Sequence, residues 1–310
     1  MSLTTFLQHF LNALQWGSFY ALIAVGYTMV YGVLLLINFA HGDIFMVGAY
    51  LGMFVALFLL AQYDVALPLD LPAWALLPLT ILVAMALTAV VGVTIERVAY
   101  RPLRRKGAPR LYVVITALMF GLLLEYGNLA TLGARDRQFP RLIEPTLYNI
   151  GGVRFTNVRV AVIVLSLLAM AVLGFLVQRT KTGMAMRAIS YDRLAVPLMG
   201  VSVDRIIVVT FVIGSAMAAL AGVMFGVSYP ILSFNMGLLF GWKAFIAAVV
   251  GGIGSIRGAV VGGYILGFVE IFVAAFMPST YRDLIAFSVL LLIITIRPTG
   301  LFGVARRTKV

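Results

Sequence analysis

No cysteine occurs in the 310 residues, histidine only twice (His9 and His41), and no lysine or arginine before Arg97. Each scarcity excludes something. Without cysteine there is no disulfide framework and no thiol chemistry. Two histidines supply no Ser–His–Asp set and no His/Cys/Asp cluster of metal-ligand spacing, so an enzyme reading has no visible machinery. No G-x-x-x-x-G-K-[ST] phosphate loop is present, so the chain carries no energy source of its own. Charged residues make up 11% of the chain, less than half of the roughly 25% usual in soluble domains. Residues 1–20 lack a basic start and a convincing cleavage site, so a removable signal peptide is not expected.

What is there is apolar: 63% of residues are hydrophobic, and the mean hydropathy is +1.08. Crossing a bilayer takes about 20 apolar residues per helix, and several runs meet that length. Backbone groups in lipid need internal partners, which leaves helices or a closed barrel. The runs are long and unalternating, which selects helices. The net charge of +12 is better read by position than as a nucleic-acid signal. Arg97, Arg101, Arg104, Arg105, Lys106 and Arg110 form one cluster; Arg179, Lys181, Arg187, Arg193 and Arg205 form a second; Arg306, Arg307 and Lys309 form a third. Placing all three in the cytoplasm threads 10–37 inward, 43–62 outward, 74–96 inward and 111–132 outward. After an external connection at 133–157, which is basic against the trend, 158–178 run inward and 206–228 outward. The segments 238–252, 259–277 and 284–296 follow. The expectation is a single all-α, multi-pass membrane domain over 1–310, with eight or nine spans, the N-terminus outside and the C-terminus cytoplasmic.

Two stretches interrupt this pattern. INFAHGD (37–43) sets Asn38, His41, Gly42 and Asp43 between two uncharged runs, and GGIGSIRG (251–258) contains Gly251, Gly252, Gly254 and Ser255. Two glycine-broken segments in corresponding halves point to an internal repeat with broken or re-entrant helices and a pathway at the break. Close helix packing is the competing explanation for glycine, and it accounts for Gly222 and Gly226. It accounts less well for a histidine and an aspartate. Asn38 and His41 suit freed carbonyls, and Asp43 suits the start of the next helix. A carboxylate there also matches the ammonium of a zwitterion, so capping and pathway lining stand level.

GYTMVYG (26–32) followed by INFAHGD, ERVAYRP (96–102), TGMAMRAISYDRLAVPLMGV (182–201) and AAVVGGIGSIRGAVVGG (247–263) resemble, in order, the LivH-type permease family. These are membrane subunits of high-affinity branched-chain amino acid ABC importers, and the likeness runs from about Gly17 to Gly300. Asp43 stands where many relatives carry Glu. The resemblance implies two cytoplasmic ATPase subunits that bind the ATP, a second related permease subunit in a heterodimer, and a periplasmic or extracellular substrate-binding protein. It also implies the inner membrane of a bacterium, surrounding lipid, no nucleic acid, and no cofactor or metal on this chain. Related permeases serve urea, short amides or other amino acids, and a self-sufficient secondary transporter is the rival class.

Within the loop 179–205 a short helix is expected over 183–196, with Ala185, Ala188, Ile189 and Val196 apolar and Arg187, Tyr191, Asp192 and Arg193 polar, ended by Pro197 and Gly200. By the family likeness it is the element that seats in an ATPase, with Arg187, Asp192 and Gly200 as its marked residues; an amphipathic helix on the membrane surface is the alternative. Glu270 sits within GFVEIF and Glu125 within LLLEYGN, and an acidic residue inside a span is a functional hypothesis by default. An interhelical hydrogen bond is favoured for Glu125, and Glu270 is an even choice. Lys243 is expected to snorkel outward. Tyr63, Trp74, Tyr229 and Trp242 are expected in an interfacial belt.

Overall fold

The computed structural model describes residues 2–64 and 73–303. Arg306, Arg307 and Lys309, and the side chain of Tyr63, lie outside the described residues. The chain folds as an all-α multi-pass membrane protein, and among the described residues eight helical segments are long and apolar enough to span a bilayer. The α-helices of the described residues are, in order, α1 (Leu3–Leu34), α2 (His41–Asp64), α3 (Ala73–Ile95), α4 (Arg101–Arg105), α5 (Arg110–Leu132), α6 (Asn157–Arg179), α7 (Lys181–Tyr191), α8 (Ala195–Leu198), α9 (Val203–Ser228), α10 (Met236–Gly251), α11 (Ile256–Phe276) and α12 (Arg282–Ile296). Between α5 and α6 lie β1 (Arg137–Gln138), β2 (Leu147–Ile150) and β3 (Val153–Thr156); β4 (Ile231–Leu232) precedes α10. β2 and β3 form a hairpin, and β1 pairs antiparallel with β4.

α1 and α9 are buried over most of their length, whereas α5, α6 and α12 show most of theirs outward. Small residues set this arrangement. A Cβ on Gly263 would strike Ala21, and one on Gly267 would strike Gly17, so α1 and α11 run antiparallel at backbone contact. Gly222 lies against Phe45 and Ala49 and Gly48 against Ala219, which brings α2 alongside α9 in parallel. Gly226 instead makes room for the ring of Phe139. Above these contacts Trp16, Phe19, Tyr20, Phe45, Phe225 and Phe240 interlock, with the Phe225 and Phe240 centroids 4.8 Å apart.

Several expected boundaries move. α1 stops at Leu34 rather than 37, because Leu35 takes a left-handed conformation (φ 56) with its N–H on Tyr31 O at 2.8 Å. A leucine in that region is disfavoured by about 1–2 kcal/mol, and its neighbours hold it there. α3 does not end at residue 96 but continues through a π-helical turn, Glu96–Tyr100, into α4, so part of the first basic cluster is helical. Pro102 lacks an N–H, and the ladder widens just before it: Arg101 N–H reaches Glu96 O. The helix expected over 183–196 is two pieces, split at Asp192, whose Oδ1 accepts from Leu194 N and Ala195 N at 2.8 and 3.1 Å. Its buried face is Gly183, Met186 and Ile189; Ala188 is exposed.

Candidate functional site

INFAHGD supplies the last four residues of the six-residue connection 35–40 and the first three of α2. A Cβ on Gly26 would strike the imidazole of His41. α2 therefore begins beside a residue eight positions before the end of α1, about 12 Å back along its axis. The chain turns at Leu35 and climbs before becoming helical again. The carbonyls of Val33 and Leu34, freed at that turn, accept from Arg193 Nη2 at 3.1 and 2.8 Å. Burial, then the nearby charges of Arg104 and Arg110, lowers the pKa of Arg193. Asn38 is buried, and its Oδ1 accepts from Tyr100 Oη at 2.9 Å. The π-helical turn on α3 thus holds the connection from the other side.

α10 has 16 residues, roughly 24 Å of helix, and its N-terminal turn meets that of α2. Gly42 lies against the backbone of Gly237 and Gly241, leaving no room for a side chain. Asp43 follows, flanked by glycines from two other helices. A Cβ on Gly121 would fall 2.5 Å from Asp43 Oδ2, and one on Gly237 2.6 Å from Oδ1. One turn along α5 from Gly121, on the same face, stands Glu125. Both carboxyls are buried, and they line one cavity of about 220 Å³ between α1, α2, α5 and α10. Tyr27 and the apolar side chains of Phe39, Leu122, Trp242 and Phe245 complete its wall.

Gly251, Gly252, Gly254 and Ser255 lie elsewhere. They form the turn of an antiparallel α10–α11 hairpin, with Gly251 against Gly258 and Ser255 Oγ accepting from Gly258 N at 3.2 Å. Gly252 (φ +106) takes a left-handed conformation and packs against Gly303, while Leu301 N and Phe302 N donate to Val250 O and Gly251 O. Gly254 faces Gly32, six residues nearer the end of α1 than Gly26, so the two glycine-rich stretches sit about 9 Å apart along that helix.

Glu270 is not at the cavity. Lys243 Nζ approaches its Oε1 at 2.8 Å, Tyr20 Oη donates to its Oε2 at 2.8 Å, and Lys243 also bonds Asp283 Oδ1 at 2.7 Å. Lys243 is 2% exposed, which overturns the expectation that it snorkels. The desolvation of two charges is offset by their pairing. Two apolar-segment residues of opposite sign were the available signal. Trp242 lies on the cavity wall, Tyr229 packs tilted against Trp16 with centroids 5.2 Å apart, and Trp74 is exposed.

Of the marked residues in 179–205, Arg187 donates to Val177 O at the end of α6, Asp192 caps α8, and Gly200 (φ +76) takes the left-handed turn after it. Their tasks are internal. The outward face is apolar: Tyr191, Leu194, Leu198 and Met199 are 91, 86, 88 and 82% exposed. The helix contacts place this segment at the same end as Arg101, Arg104 and Arg105, which converge on Asp204.

The family described as "Branched-chain amino acid transport system / permease component" matches residues 9–294. The chain belongs to that family. This permease component is 38% identical over 303 residues to the high-affinity branched-chain amino acid transport system permease protein LivH of Salmonella typhimurium, covering 96% of both chains. It is 40% identical over 306 residues to BraD of Pseudomonas aeruginosa, a protein of the same description, again across 96% of each. A more distant relative is the ribose import permease protein RbsC of Haemophilus influenzae, 24% identical over 91% of this chain and 82% of that protein. No solved structure matches significantly.

Proposed function

We propose that this permease component is the translocation subunit of an ATP-driven ABC importer for branched-chain or other hydrophobic amino acids. ATP is hydrolysed by two separate ATPase subunits, a second related permease completes the membrane part, and a periplasmic binding protein delivers substrate. The cluster-bearing end faces the cytoplasm of a bacterial cell, in line with the positive-inside rule. The observation that supports ATPase coupling is the set of exposed side chains Tyr191, Leu194, Leu198 and Met199 on the segment at that basic end. Large apolar side chains in water mark an interaction surface. Behind that segment Arg193 holds the last carbonyls of α1. A push on this segment is thereby passed to the turn before α2, where Asn38, His41, Gly42 and Asp43 adjoin the cavity. Alternating access follows as rearrangement around that turn.

The test is reconstitution of the chain with two ATPase subunits, a second permease and a binding protein from the same organism, in liposomes, with leucine as probe. Uptake is expected to require ATP and the binding protein. Ion-gradient-driven uptake by this chain alone would overturn the reading in favour of a secondary transporter. Urea or short amides carried in place of leucine would keep the machinery and replace the substrate.

A further inference from the structure

The two sets of carboxyls inside the helical body are treated differently by the fold. Glu270 is supplied with a cation of its own, Lys243, and a tyrosine hydroxyl. Asp43 and Glu125 are 6 and 8% exposed, and none of the residues lining their cavity is lysine or arginine. Asp43 Oδ1 is buried without a hydrogen-bond partner among the described residues. A buried carboxylate lacking a partner is costly in surroundings of low polarity, and a cation entering the cavity removes that cost.

The rest of the cavity states which cation. No group of three or more His, Cys, Asp or Glu among the described residues is arranged to hold a metal ion. The rest of the lining includes the apolar side chains of Phe39, Leu122, Trp242 and Phe245 and the phenol of Tyr27. Such a site suits a protonated amine attached to an apolar body, with aromatic faces beside the ammonium adding cation–π attraction. Gly121 and Gly237, from different helices, leave the space Asp43 occupies, so the position of its carboxyl is built by three elements.

We propose that Asp43 and Glu125 form an ammonium subsite on the route, with the apolar wall accepting the side chain of the same amino acid. This rests on the transport reading above and adds to it a point of substrate recognition within the membrane chain. Glu125 becomes a specificity residue.

The experiment uses the complete complex and exploits the absence of cysteine. A thiol placed by Leu122→Cys, on the cavity wall and 41% exposed, is reacted with a cationic and an anionic methanethiosulfonate of similar size. The cationic reagent is expected to react about tenfold faster or more. Isoamylamine, which is leucine without its carboxylate, is expected to slow the reaction, and 4-methylpentanoate, which is leucine without its ammonium, to leave it unchanged. Adding Asp43→Asn or Glu125→Gln should remove both effects. In transport, the same two variants in the cysteine-free chain are expected to lose leucine uptake by roughly tenfold, with the complex still assembled. No charge preference, equal protection by amine and acid, a silent thiol, or full uptake by both variants would overturn the subsite. Absence of ATP-driven uptake by the unaltered complex would instead sink the transport reading, and the thiol measurements would still decide whether the cavity selects cations. If a neutral variant fails to assemble, Glu125→Asp, which keeps the charge, is expected to assemble and keep the preference; its loss there counts against the proposal.

Discussion

Tyr100 donates its hydroxyl to Asn38 Oδ1 at 2.9 Å, joining a π-helical turn of the third helix to the connection between the first two. Both side chains are almost fully buried, so the bond has no water to replace it. Tyr100→Phe removes the donor and leaves Asn38 with a further unmet group. A loss of about 1–3 kcal/mol is expected, read as a lower unfolding temperature in detergent. Uptake should fall with it, and an unchanged midpoint would show that the connection is held by packing alone.

Lys243 and Glu270 give a cleaner test of pairing. Lys243→Met strands a buried carboxylate, which is expected to destabilise by about 3–5 kcal/mol. Glu270→Leu strands the lysine in the same way, apart from its bond to Asp283. The double substitution should recover much of the loss. Additive losses in a double-mutant cycle would rule out the pair as a unit.

The outward face of the segment between α7 and α9 predicts where the ATPases seat. Leu194→Glu with Leu198→Glu places charge on side chains that are already exposed, so the fold should be unaffected. ATPase association is expected to weaken by more than about tenfold. Arg187→Ala and Asp192→Ala should instead loosen α7 and α8 themselves, lowering stability before association. Equal association by the Leu194/Leu198 variant would move the coupling surface elsewhere.

Sidedness is testable because the chain has no thiols of its own. Lys106→Cys, exposed beyond α4, is expected to resist an impermeant thiol reagent in sealed cells and react in inverted vesicles. Asn149→Cys, exposed on β2, should do the reverse. The opposite labelling would invert the orientation.

Much of the architecture was legible in the sequence because the solvent imposes it. Apolar runs about 20 residues long have few alternatives to spanning helices, and the runs before Arg97, around 111–132 and 158–178 map onto α1 to α3, α5 and α6. INFAHGD stands out in the sequence because polar side chains amid apolar ones need partners, and the structure places it across the connection between α1 and α2. GGIGSIRG could not be separated from it by composition. Glycine serves a hairpin, a helix contact and a bend equally well, and which of them applies depends on what approaches it.

What only the tertiary structure decided is which charges meet. Lys243, Glu270 and Asp283 come from three helices, and Asp43 and Glu125 from two others. Their spacing along the chain carries no trace of these pairings. Helix periodicity fixes the face a residue occupies, but the neighbour on that face is set by close packing through small residues such as Gly42, Gly121 and Gly237. The sequence therefore determined that the chain lives in a membrane. Packing determined that one buried carboxylate is neutralised from within and that two others face a cavity with no cation of their own.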